Sequence, residues 1–208
     1  MYVERFRKDG IKLEQAMAAT ETEHQSSVAN ILIVARAAAI LHPSDGLLKH
    51  SEHVANLVAY VLSAEPGLAG GLSRETVVLA AFLHDLGKAR WPPEYFERPA
   101  YSLSPTDWHI MQAHPLVGAN IARELGVTAD VLALIEQHHE RRQGKGYPQG
   151  LADPHPAALL IGACDAYCAC LEPRAYRPEP LPVFEALREA AKVAVPAVVQ
   201  VLEVVGLE

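Results

Sequence analysis

The stretch SRETVVLAAFLHDLGK, running from Ser73 to Lys88, decides how the rest of the chain is read. Ser73 followed by Glu75 is a helix start, because a cap hydroxyl can accept from free first-turn N–H groups and a carboxylate there suits the helix dipole. The apolar run from Val77 to Leu83 shows no strand alternation and no flanking hairpin turn, so it predicts a helix that delivers the chain to His84 and Asp85.

Outward from that stretch, apolar residues recur at three- and four-residue spacing, and the predicted fold class is all-α. Towards the N-terminus, residues 47–63 form a helix, preceded by a breaker of His42, Pro43, Ser44, Asp45 and Gly46. Residues 11–42 should hold two helices, the second rich in alanine and apolar nearly all round, which implies burial or a partner. This sets an N-terminal helical segment, 1–45, apart from a main domain, 46–208. The glycines of Gly67 to Gly71 follow no strand and read as a flexible link. Towards the C-terminus, Ser104, Pro105 and Asp107 start a helix that His114-Pro115 ends or kinks. A helix over 115–125 follows, then one capped by Thr128 that reaches His138 and His139. A glycine-rich polar loop separates it from a helix over 156–171. Two C-terminal helices flank a bend near Pro196.

The 208 residues carry a formal net charge of −7, which leaves no broad basic footprint for polymeric nucleic acid, although a small positive pocket could still take a phosphorylated ligand. The longest apolar stretch, Val28 to Leu41, is interrupted by Asn30 and Arg36, and Met1 to Gly10 is charged, so neither a membrane span nor an export signal is expected. The three cysteines, Cys164, Cys168 and Cys170, are odd in number and lack paired CxxC spacing; they fit a reducing cytoplasm and the buried face of their helix.

Ten histidines stand out. His50, the pair His84-Asp85, His114, the pair His138-His139 and Asp165 fall on separate predicted helices or their ends. A metal site in a helical bundle needs that distribution, since one helix offers only one or two ligands to a point. Imidazole with carboxylate suits iron, manganese or zinc.

The motifs HSEHV from His50, HDLGK from His84, HPLVG from His114, HHERRQGKGYPQGL from His138 and DAYCACLEPRAYR from Asp165 resemble, in order, those of the HD-GYP family of metal-dependent phosphohydrolases. The segment ARWPPEYFERPAYSLSPTDW has the length and proline pattern of such proteins. The resemblance implies an HD-type helical bundle with ligands on several helices. It implies that His50, His84, Asp85 and Asp165 are the four basic ligands, that His114, His138 and His139 hold a second metal, and that Asp85 bridges the two. Two divalent transition metal ions are expected, iron or manganese favoured over zinc. His53 is a rival to His50, but the H-S-x-x-V frame selects His50 and leaves His53 a packing or supporting role. His24, His42, His109 and His155 match no ligand position.

The implied activity is hydrolysis of cyclic di-GMP to linear pGpG and onward to GMP. Asp85 and Lys88 would be catalytic, with Lys88 on a phosphate oxygen. Tyr147 and Pro148 would shape the loop beside the substrate, and Arg174 and Arg177 would hold phosphate and guanine, tasks that suit the planar guanidinium. Three departures from the pattern stand out. Gly46 replaces a glutamate that would hold a third metal, Gln143 removes a loop charge, and Cys168 stands where a second aspartate is usual, with Pro173 and Ala175 altering the segment that follows. They keep two other readings open: a signalling or nucleotide-binding module without turnover, and a phosphohydrolase of another small molecule. The all-round apolar pattern of Ile31 to Leu41 adds homodimerisation through the N-terminal helices as an expectation.

Overall fold

The computed structural model describes residues 26–43, 46–92, 94–99 and 102–206. Helices and tight 3-10 turns account for its regular structure, and no strand occurs among the described residues. Residues 26–41 form α1. The helix predicted before it lies outside the described residues. α1 is followed by α2 (Leu47–Ala64), α3 (Arg74–Leu83), a short α4 (Glu94–Glu97), α5 (Pro105–Gln112), α6 (His114–Leu125), α7 (Ala129–Gln137), α8 (Pro156–Leu171), α9 (Val183–Ala191) and α10 (Pro196–Val205).

The ends of these helices follow from their sequences. Ser73 accepts from the Thr76 N–H to start α3, and Thr128 accepts from the Val131 N–H to start α7. Ser104 and Asp107 exchange hydrogen bonds in a capping box at α5, with Pro105 in the first turn where its missing N–H costs nothing. Each such cap is worth about 1 kcal/mol. The Gly67–Gly71 segment is not the flexible link expected from its glycines. Pro66–Ala69 forms a 3-10 turn, Ala69 is buried, and Gly70 lies against the His155 ring, whose Nδ1 accepts from the Ala157 N–H to cap α8.

α8 is buried on nearly every side, from Ala157 to Cys170, and packs against α2, α7 and α9. α2 packs on α3, α3 on α7, and α7 on α6. α1 buries Ile33, Ala37 and Leu41 in the same core but leaves Val28, Ile31 and Leu32 exposed, so its apolar surface is half covered. No described helix is long and apolar enough to cross a membrane.

Two glycines allow the close approaches on which the centre of the molecule depends. A β-carbon on Gly87 would collide with the His114 carbonyl, and one on Gly162 would collide with the His138 carbonyl. Gly87 thus lets the 3-10 turn Leu86–Arg90 lie on the start of α6, and Gly162 lets α8 lie on the end of α7.

Candidate metal centre

Three of the candidate histidines stand at helix ends, and each ring is turned by the helix it adjoins. His84 follows α3, His138 follows α7, and His114 stands just past α5 at the start of α6. His84 Nδ1 lies 2.7 Å from the Ala81 carbonyl, His114 Nδ1 2.6 Å from that of Met111, and His138 Nδ1 2.7 Å from that of Ile135. The last four carbonyls of a helix lack intrahelical partners, so an imidazole three residues on can donate to one of them. A carbonyl only accepts. Nδ1 therefore carries the proton, and the Nε2 lone pair is left to face inward.

These lone pairs converge on Asp85. Its Oδ2 lies 3.4 Å from His84 Nε2 and 3.7 Å from His50 Nε2. Its Oδ1 lies 3.4 Å from His114 Nε2 and 3.9 Å from His138 Nε2. Asp165 Oδ1 adds a second carboxylate, 3.1 Å from His50 Nε2 and 3.8 Å from His84 Nε2. The structure thus brings all seven expected residues into two groups, His50–His84–Asp85–Asp165 and Asp85–His114–His138–His139, sharing Asp85. Gly46 offers no side chain to either.

The donor set fits cations. His84 Nε2 and Asp85 Oδ1 are buried without a hydrogen-bond partner, each a cost of about 1–3 kcal/mol unless something compensates. His114 Nε2 and His138 Nε2 face each other at 3.2 Å, and with both protons on Nδ1 no hydrogen lies between them. Positive charge between these atoms removes both penalties, so the groups could bind metal ions.

Local charge supports the same arrangement. Burial alone would raise Asp85 and Asp165, but their charged and hydrogen-bonding neighbours, the Lys88 ammonium beside both and His50 on Asp165 among them, outweigh it and hold both carboxyls well below their usual range. Burial lowers His114, and burial together with the adjacent imidazoles pushes His138 and His139 well down, so these rings stay neutral as ligation requires. His50 is different. Burial opposes its charge, yet hydrogen bonds to Asp165 and Glu172 raise it to about 9.

The remaining expected site residues surround this centre. Lys88 Nζ lies 2.6 Å from Asp85 Oδ2 and 5.5 Å over the Trp91 ring. Tyr147 stacks on His139 with ring centroids 4.7 Å apart. Arg174 bonds Glu172 Oε2 at 3.2 Å. Arg177 bonds the backbone. Its guanidinium donates to the carbonyls of Ala169, Cys170 and Glu172, closing the C-terminal end of α8. That carbonyl cluster is a natural partner for a cation because helix C-termini carry negative potential.

Sequence reading missed two carboxylates. Glu140 is fully buried and accepts from the N–H groups of Gln149, Gly150 and Leu151, so the loop keeps an organising charge although position 143 is glutamine. Glu172 accepts from His50 and His53. Its signal was present in the sequence as a carboxylate seven residues after Asp165, at the end of the helix expected over 156–171. The three cysteines are buried along α8, as expected.

Residues 47–170 match the model of the HD domain family, and the chain belongs to that family. Within it, the chain is an HD-GYP member. It is 32% identical over 185 residues to the cyclic di-GMP phosphodiesterase response regulator RpfG of Xanthomonas campestris pv. campestris (strain 8004), covering 84% of this chain and 46% of that protein. It is 31% identical over 147 residues to a cyclic di-GMP phosphodiesterase of Thermotoga maritima, covering 68% of this chain and 38% of the relative. The chain therefore spans less than half the length of these curated relatives. Among solved structures, Bd1817, an HDG"Y"P protein from Bdellovibrio bacteriovorus, shares the fold with a TM-score of 0.61 at 24% identity, over 77% of this chain and 52% of that one.

Proposed function

We propose that this chain hydrolyses cyclic di-GMP to linear pGpG, and onward to GMP, at two divalent transition metal ions, iron or manganese before zinc. The observation that carries this reading is the pair of buried donor groups sharing Asp85, with three Nδ1 atoms tied to helix-end carbonyls and the Nε2 atoms aimed inward. Likeness to two cyclic di-GMP phosphodiesterases supports the substrate.

His50, His84, Asp85 and Asp165 would hold one ion, and His114, His138 and His139 with the other oxygen of Asp85 the second. When bound, such a pair makes water a competent nucleophile near neutral pH and neutralises charge on phosphoryl oxygens. In each hydrolytic step water adds to phosphorus, the P–O3′ bond breaks, and the leaving 3′ oxygen takes a proton. Lys88, held by Asp85 and part-exposed, presents an ammonium to a phosphate oxygen at the edge of the centre. Tyr147 stacks against His139 and bounds the site on the loop side. Arg174, part-exposed and paired with Glu172, is assigned to the second phosphate or a base, while Arg177 holds the strap of residues 173–177 on the end of α8.

Chromatography of nucleotide products separates this from the alternatives. Protein loaded with manganese or iron should convert cyclic di-GMP to pGpG, and Asp85→Ala should not. Intact cyclic di-GMP after incubation with protein shown to hold two ions would reject the assignment and favour a binding module.

A further inference from the structure

At the edge of the His50 group, a carboxylate belonging to neither donor set holds the back of a candidate ligand. Glu172 stands immediately after α8, with Oε2 2.8 Å from His50 Nδ1 and Oε1 2.9 Å from His53 Nδ1. His50 and His53 lie one turn apart on α2, so one carboxylate spans both rings and ties α2 to the end of α8. His53 is 44% exposed and belongs to neither donor group, which leaves it as an anchor for Glu172 rather than a ligand.

This arrangement sets His50 apart from the other rings. His84, His114 and His138 give their Nδ1 protons to neutral carbonyls, whereas His50 gives its own to a charged acceptor. A charge-assisted bond is roughly twice as strong as a neutral one. It fixes the ring and makes the opposite nitrogen a better donor to a metal. Asp165 and Cys168 share one face of α8 and Glu172 follows just beyond its last residue, and burial pushes the Cys168 thiol up, so position 168 supplies no charge.

We propose that Glu172, steadied by His53, is the positioning residue for His50, supplying from one turn further along the carboxylate that Cys168 does not. The inference rests on reading the His50 group as a metal site, and the test separates the two. Manganese affinity would be measured on the intact chain by competition with a chromophoric chelator, for wild type, Asp85→Ala, Glu172→Gln, Glu172→Ala and His53→Ala, with circular dichroism reporting the fold. Glu172→Ala should weaken one of two ions about ten- to hundredfold and leave the other as it was. Glu172→Gln, nearly isosteric and still able to accept from one ring, should lose less affinity at the same ion and serves if the alanine variant does not fold. His53→Ala should weaken that ion by a smaller factor. Two ions bound with unchanged affinity in folded Glu172 variants, or both weakened alike as a general loosening would produce, overturns the proposal and leaves the metal centre standing. Wild type that binds no more manganese than Asp85→Ala overturns the metal centre and the proposal with it.

Discussion

Arg174 and Arg177 show how far two identical side chains three positions apart can diverge. A small antiparallel bridge pairs their backbones, with Arg174 N–H to the Arg177 carbonyl and the reverse, both at 2.8 Å. Arg177 turns inward to three carbonyls, while Arg174 is 30% exposed beside Glu172. Arg177→Ala should therefore lower stability by about 1.5–3 kcal/mol, the range for a hydrogen bond to a charged group, seen as a shifted urea midpoint. Arg174→Ala should leave that midpoint nearly unchanged and, at saturating manganese, raise KM more than it lowers kcat. Equal effects of the two substitutions on stability would show that the strap is not held as described.

Elements matter here through their ends. α3, α5 and α7 each end one or two residues before a cluster histidine, so the carbonyl three residues before that histidine lies in the helix's last turn and becomes a ring-orienting acceptor. α8 contributes Asp165 from its middle and can approach the end of α7 only because position 162 lacks a β-carbon. Gly162→Ala should push α8 away from His138, costing about 1–3 kcal/mol as an overpacked core does, with a fall in melting temperature and weaker manganese binding together. A variant that melts like wild type would show that the contact relaxes freely.

At the scale of the whole molecule, the donor groups tie α2, α3, α6, α7 and α8 to a single carboxylate, so ions bound there would act on the fold as a whole. Without them the buried Asp85 Oδ1 and His84 Nε2 stay unpaired. Stripping metal with a chelator should lower the melting temperature and restoring manganese should raise it. An ion at a hundred times its dissociation constant is worth about 2.7 kcal/mol. A melting temperature that ignores both treatments would count against ligation by this centre.

Much of this was legible in the chain. Helix periodicity and cap chemistry are local, so the helices from residue 47 onward apart from the single turn of α4, including the starts at Ser73, Ser104 and Thr128, could be read directly. The motifs could likewise be read as one set, because side chains that must meet in a bundle recur at helix intervals. What lay beyond the sequence depended on contacts between distant segments. Arg177 reaches the carbonyls at the end of α8 because the chain folds back on that helix end, and the Pro66–Ala69 turn packs Gly70 against His155. Glu172 reaches His50 across 122 positions of sequence. Periodicity assigns a residue to a face of its own helix, and a carbonyl three residues back can orient His84, His114 and His138 locally, but only packing decides what stands opposite each face and brings Glu172 behind His50.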